Sequence, residues 1–161
     1  MARSRPDLAV ALKAYGLPDD GYGLQFVEID AGNYAPYQAG EAAIIVPLFV
    51  DGELHDLIAT GLSTRQTRTR QGVATVLGRE WIEGAQIHET AVRLFQDPIE
   101  WLGHGQCGAV LIDWRAARYE LAELPGIVCE TELLAKRVDR ELRQPSRLPQ
   151  LFVREAPCAA A

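Results

Sequence analysis

The sequence predicts an α/β (or α+β) fold: a single-domain mixed sheet, antiparallel in its N-terminal half and parallel βαβ in its C-terminal half, with helices packed on it. Three observations carry this. The apolar, β-branched run 42–50 is followed by the turn pair Asp51-Gly52 and a second strand-like run, 54–59, the order of an antiparallel hairpin. From about residue 91 onward, short apolar strands alternate with helical segments, which implies right-handed crossovers and parallel pairing. A length of 161 residues suits one domain with its own core. No repeat, linker or low-complexity stretch divides it. Residues 1–161 are therefore read as one globular unit, with flexible ends at 1–5 and 154–161.

In order, Pro6 to Tyr15 reads as a helix, with Ser4 to cap it, Pro6 in its first turn and Gly16 to end it. Leu24 to Asp30 has strand alternation. Residues 31–41, with Tyr34, Pro36, Tyr37 and Gly40, read as a loop. Ala42 to Val50 is the clearest strand, and Pro47 within it requires an edge position or a bulge. Gln71 to Leu77 is expected to form a short helix, and Arg79 to Ala85 a further helical turn. Ala91 to Phe95 is a strand. Asp97 and Pro98 start a helix to Leu102, Asp97 as its cap and Pro98 at its first position. A tight loop, Gly103 to Gly108, leads into a strand at Ala109 to Ile112. Trp114 to Leu121 is helical. Ile127 to Cys129 is a strand, and Thr131 caps a helix over Glu132 to Arg143. Leu151 to Val153 is a last short strand.

Composition is that of a globular protein: 48% hydrophobic, 24% charged, mean hydropathy −0.06. The formal net charge of −6 argues against a general polyanion coat but leaves room for one local anion site. Cys107, Cys129 and Cys158 are widely spaced with no CxxC, which indicates neither a disulfide framework nor a cysteine-rich zinc module. A reducing, cytoplasmic setting is expected. No apolar run approaches the ~20 residues that span a bilayer, so no membrane partner is expected. The terminal Cys158-Ala159-Ala160-Ala161 formally fits a prenylation box but lacks a polybasic segment before it.

Against this acidic background, residues 53–79 stand out. They carry Arg65, Arg68, Arg70 and Arg79, and no acid lies between Leu57 and Arg79. Guanidinium forks, with Thr67 and Thr69 hydroxyls beside them, suit phosphate or carboxylate. A helix beginning near Thr69 or Arg70 would aim its positive end at the same place. The competing reading is a solvated loop whose arginines pair with acids from elsewhere. Tyr34 and Tyr37 supply rigid aromatic contacts, or a stacking surface for bases if they lie near the arginines. No Walker pattern is present.

A second candidate is a set of strand-end acids, Asp30, Asp113 and Glu130, of the type that holds Mg²⁺. A third is the Gly103–Gly108 loop, where His104 and Cys107 make half a zinc site and no further histidine completes it. The simpler reading there is a turn with Cys107 tucked beside the strand. No cofactor is expected beyond Mg²⁺ in the acid-set alternative.

The leading expectation is thus a non-enzymatic binding or accessory protein that holds a phosphate-bearing or acidic partner, protein or nucleic acid, at the arginine patch. One alternative is a metal-dependent phosphoryl- or nucleotidyl-transfer enzyme using Asp113, Glu130 and Asp30. Another is an interaction module that works as a homodimer.

Overall fold

The computed structural model describes residues 22–29 and 33–143. The expected helix at Pro6–Tyr15, the strand at Leu151–Val153, Asp30 and Cys158 lie outside them. Mixed α/β content is observed. The antiparallel and parallel halves are hydrogen-bonded as two sheets that share a core.

The first sheet contains β1 (Gly23–Ile29), β2 (Tyr34–Pro36), β3 (Glu41–Val50), β4 (Glu53–Gly61) and β5 (Thr67–Thr69). The order is β2-β1-β3-β4-β5 and every pairing is antiparallel. The 31–41 segment, expected as loop, contributes β2. Its three residues extend because Tyr34 to Pro36 pair with Val27 to Ile29. Asp51 and Gly52, both at positive φ, form the two-residue turn between Val50 and Glu53. Pro47 meets the edge requirement. Pairing of β3 with β1 stops at Ile45, so Pro47 faces only β4, and the register shifts just beyond it, between Leu48 and Phe49.

A bridge from Asn33 to Thr69 joins the outer ends of β2 and β5, so the sheet curls back on itself. The continuous apolar run of β3 follows from this. Ile44 and Val46 point one way and Ala43 and Ile45 the other, and all four are buried. The second set clusters with Val27, Tyr34 and Ala59 inside the curl.

The second sheet holds β6 (Val76–Leu77), β7 (Ala91–Phe95), β8 (Ala109–Leu111) and β9 (Gly126–Cys129), in the order β6-β8-β7-β9. β7 pairs in parallel with both β8 and β9, whereas β6 runs antiparallel to β8. The helices are α1 (Arg79–His88), α2 (Pro98–Gly103), α3 (Ala117–Leu121, after a 3-10 turn at Trp114–Ala116) and α4 (Glu132–Arg143). Asp97 caps α2 by accepting hydrogen bonds from the Ile99 and Glu100 amides, and Thr131 caps α4 through the Leu134 amide.

Helices cover both faces of this sheet. Ile82 and Ala85 of α1, Ala117 and Leu121 of α3, and Leu134 and Val138 of α4 cluster with Val92, Leu94, Ala109 and Leu111. On the opposite face, Ile99, Trp101 and Leu102 of α2 join Phe95 and Val110, and meet Ile44, Val46 and Ile58 of the first sheet. The Trp101 indole donates to the Gly108 carbonyl at 2.8 Å, which satisfies its polar edge inside this shared core. Trp114 is half-buried and covered by Arg137, whose guanidinium carbon lies 3.7 Å from the ring centre.

The helix expected over 71–77 does not form. A helix needs an unbroken run of residues at negative φ, and this segment is instead wrapped around the Asp56 carboxylate, which accepts from the amides of Arg70, Gln71, Val73 and Ala74 at 2.8–3.1 Å. Gly72 sits at φ +79 in the turn this makes, and Val76 and Leu77 pair with Leu111 and Val110. The next helix is longer than expected, running to His88.

Candidate functional site

The arginine connection joins β4 to β6 across the junction of the two sheets. It is fastened at both ends by carboxylates from distant strands. Glu41, on β3, accepts hydrogen bonds from the Ser63 and Thr64 amides and the Thr64 hydroxyl at 2.8–2.9 Å. Burial works to raise the Glu41 carboxyl, but these hydrogen bonds outweigh it and hold the pKa below its ordinary value. Asp56, on β4 and 2% exposed, fastens the far end. It accepts from the four amides of 70–74 and also from its neighbour Leu57 at 2.8 Å. Burial alone would raise this carboxyl too. The amides of Gln71, Ala74, Leu57 and Val73 reverse that and depress it. Five N–H donors to one carboxylate are a stronger local frame than a glycine-containing loop has by itself.

The arginines have different fates. Arg65, at φ +57, turns its guanidinium to Asp97, and Nε lies 3.0 Å from Oδ2. It ties the first sheet to the cap of α2 rather than facing a ligand. Arg70 lies over the Tyr34 ring, its guanidinium carbon 5.8 Å from the centroid. Tyr34 is buried, and its hydroxyl has no hydrogen-bond partner among the described residues. Burial raises its pKa against the opposing charge of Arg70. Arg79 binds buried Glu120 at 2.7 Å, and the Thr75 hydroxyl donates to the same oxygen at 2.7 Å. Tyr37 is exposed at the end of β2, and its amide bonds to the Phe26 carbonyl.

Arg68 is different. Its Nη1 donates to the Thr67 carbonyl at 2.8 Å. It has no carboxylate partner among the described residues, and its buried Nε has no acceptor. It lines a cavity of about 470 Å³ where the closing edge of the first sheet meets the carboxyl end of β8. Asn33, Thr67 and Thr69 line it from the first sheet, and Asp113 and Arg115 from the second. Ala74 and Ile112 add an apolar part. Thr69 is nearly buried, and the Thr67 hydroxyl lies 3.1 Å from that of Thr60.

Asp113 and Arg115 form a closed pair. Arg115 reaches Asp113 through Nε and Nη2 at 2.8–3.1 Å, and its amide donates to Oδ1 at 2.9 Å. The Arg115 hydrogen bonds pull the Asp113 carboxyl below its ordinary range.

Of the expected acid set, Asp113 and Glu130 are not drawn together. Asp113 pairs with Arg115, while Glu130 pairs with Arg93, and β7 lies between their strands. Among the described residues no three or more of His, Cys, Asp and Glu are grouped to hold a metal ion. In the Gly103–Gly108 loop, His104 stacks on Phe95 with ring centres 5.1 Å apart. Cys107 is exposed, not tucked against the strand.

The structure therefore unites Arg68, Thr67, Thr69 and Asp113, brings Arg70 to Tyr34, and diverts Arg65. The sequence reading missed Glu41, Asp56, Asp97 and Arg115 at this place. Asp56 had a local signal, since it is a lone acid within the apolar run Leu54 to Ala59. The others come from a strand, a helix cap and a 3-10 turn far apart in the chain, and nothing local ties them to this place. No family model, curated protein or solved structure matches the chain.

Proposed function

We propose that the protein is a binding or accessory protein that holds a phosphate-bearing or acidic partner at the cavity beside β5. One observation carries this reading: Arg68 lines the cavity with no carboxylate partner among the described residues and with a buried, unpaired Nε. A guanidinium held there is an anion site in waiting, because donors already positioned lose little freedom on binding. Thr67, Thr69 and Asn33 provide neutral hydrogen-bonding groups around it. Asp56 and Glu41 keep the backbone of the connection fixed. Arg65 is held by Asp97 and Arg70 lies over Tyr34, so contact with the anion falls to Arg68. Tyr37 offers an exposed contact for a larger partner.

The test is a two-dimensional NMR titration of the full chain with inorganic phosphate and, separately, with a short single-stranded oligonucleotide. Amide shifts should move at 67–72 and 112–115, and Arg68→Ala should abolish them. An unperturbed spectrum with both probes, or an Arg68→Ala protein that responds like the parent, would overturn the reading.

A further inference from the structure

The charges of the cavity specify its occupant more narrowly. We propose, resting on the reading above, that it takes one small hydroxylated molecule with a single anionic head, the head on Arg68 and a hydroxyl on the Asp113–Arg115 pair.

The charge count comes first. Of the charged groups lining the cavity, Arg115 is neutralised by Asp113, which leaves Arg68. Arg65 is held by Asp97 and Arg79 by Glu120, so neither adds a second phosphate contact. Arg70 lies over the Tyr34 ring outside the cavity, so a phosphate inside the cavity finds one cation, and one neutralised phosphate gives a shallow salt dependence, with a slope of about −0.7 for a single strand. That is too little to hold a polymer.

The second recognition element follows from the pair itself. Arg115 takes up both Asp113 oxygens through its amide, Nε and Nη2, while its Nη1 and the second Nη2 hydrogen remain as donors. An alcohol oxygen can accept from Arg115, whose charge Asp113 already balances, whereas an ammonium would meet a carboxylate already neutralised. The backbone that carries Asp113 is fixed in place: the Asp113 and Ile112 amides both bond to the Thr75 carbonyl, at 3.1 and 2.9 Å. Pre-set donors and acceptors favour a ligand whose two polar groups are a few bonds apart. A volume of about 470 Å³ lies within the size range of small-molecule sites, and Ala74 and Ile112 can cover a short carbon chain. The head group is a phosphate monoester or a carboxylate, chemistry that Arg68 serves equally.

Calorimetric titration of the full chain with glycerol 3-phosphate, glycerate, ethyl phosphate and a thymidine pentanucleotide tests the inference. Glycerol 3-phosphate should bind about fivefold tighter than ethyl phosphate, the worth of one added hydrogen bond. A stronger response to glycerate would assign the head group as carboxylate within the same class. Asp113→Asn should bring the ratio of the two phosphates to about one. It should also tighten ethyl phosphate, because Arg115 is released toward the anion. Arg68→Ala should weaken all the small probes by at least about tenfold, and Arg68→Lys should restore part of the loss. Equal binding of glycerol 3-phosphate and ethyl phosphate overturns the inference and leaves the anion site standing. So does tight binding of the pentanucleotide alone, with a salt slope of several phosphates. Failure of every probe removes both.

Discussion

Asp56 lies in the middle of β4, 2% exposed, with five backbone amides on its two oxygens. Replacing it with Asn keeps the shape but turns one acceptor into a donor that faces N–H groups. Asp56→Asn should destabilise the fold by about 2–4 kcal/mol, read as a shift in the urea midpoint. The linkage with pH has a definite sign. A native pKa held below the unfolded value, about 3.9 for Asp, adds stability above that value and loses it as pH falls through the native pKa. Glu41 contributes in the same direction. Acid titration of the parent should therefore show steepening loss of stability below about pH 4, and Asp56→Asn should flatten that slope. A parallel pH profile for parent and variant would contradict the role given to Asp56. Arg68 and the threonines could be picked out from the local charge pattern. What each arginine would bind could not, because Asp97 and Glu120 lie 32 and 41 residues away in the chain.

Helix α1 illustrates how one element is both legible and constrained. Gly78 precedes it at φ +72, and a Cβ there would run into the Gly108 carbonyl oxygen. Gly84, inside the helix, has open space where its Cβ would stand. Gly78→Ala should thus cost more than about 1 kcal/mol, while Gly84→Ala should stabilise by up to about 1 kcal/mol. Thermal melts of the two variants should move in opposite directions; a shared direction would show that the backbone at Gly78 relaxes. Elements whose ends carry their own caps were readable in the sequence: α2 with Asp97 and Pro98, α4 with Thr131, and the Asp51-Gly52 hairpin. The segment 71–77 has apolar spacing that suits a helix, but Gly72 at positive φ, in the turn wrapped around a carboxylate fifteen residues back, and the pairing of Val76 and Leu77 with β8 break it.

At the scale of the molecule, the shared core makes the two sheets interdependent. Ile44, Val46 and Ile58 from one pack with Phe95, Ile99, Leu102 and Val110 from the other, and Arg65 to Asp97 crosses the same junction. All three tryptophans, Trp81, Trp101 and Trp114, belong to the second-sheet half. Their fluorescence therefore reports that half and, through Trp101, the shared core, and far-UV circular dichroism reports both. Ile58→Ala, on the first sheet, should cost about 2–5 kcal/mol and lower the midpoints of both signals together. A tryptophan transition left at its parental temperature would mean that the sheets unfold independently. Among the described residues no helix is long and apolar enough to cross a membrane.

The sequence by itself determined the strand and helix inventory wherever periodicity, caps and turn pairs agree, because those preferences act over a few neighbouring residues. It also marked residues 53–79 as a local reversal of sign in an acidic chain. Tertiary structure alone decided what that reversal means. Curling of the first sheet brought Asn33 to Thr69, and docking of the second brought Asp97 and Asp113 to the arginines. Charges pair through space, where separation along the chain has no bearing on the energy. A run of four arginines thereby reduces to one, Arg68, in a cavity.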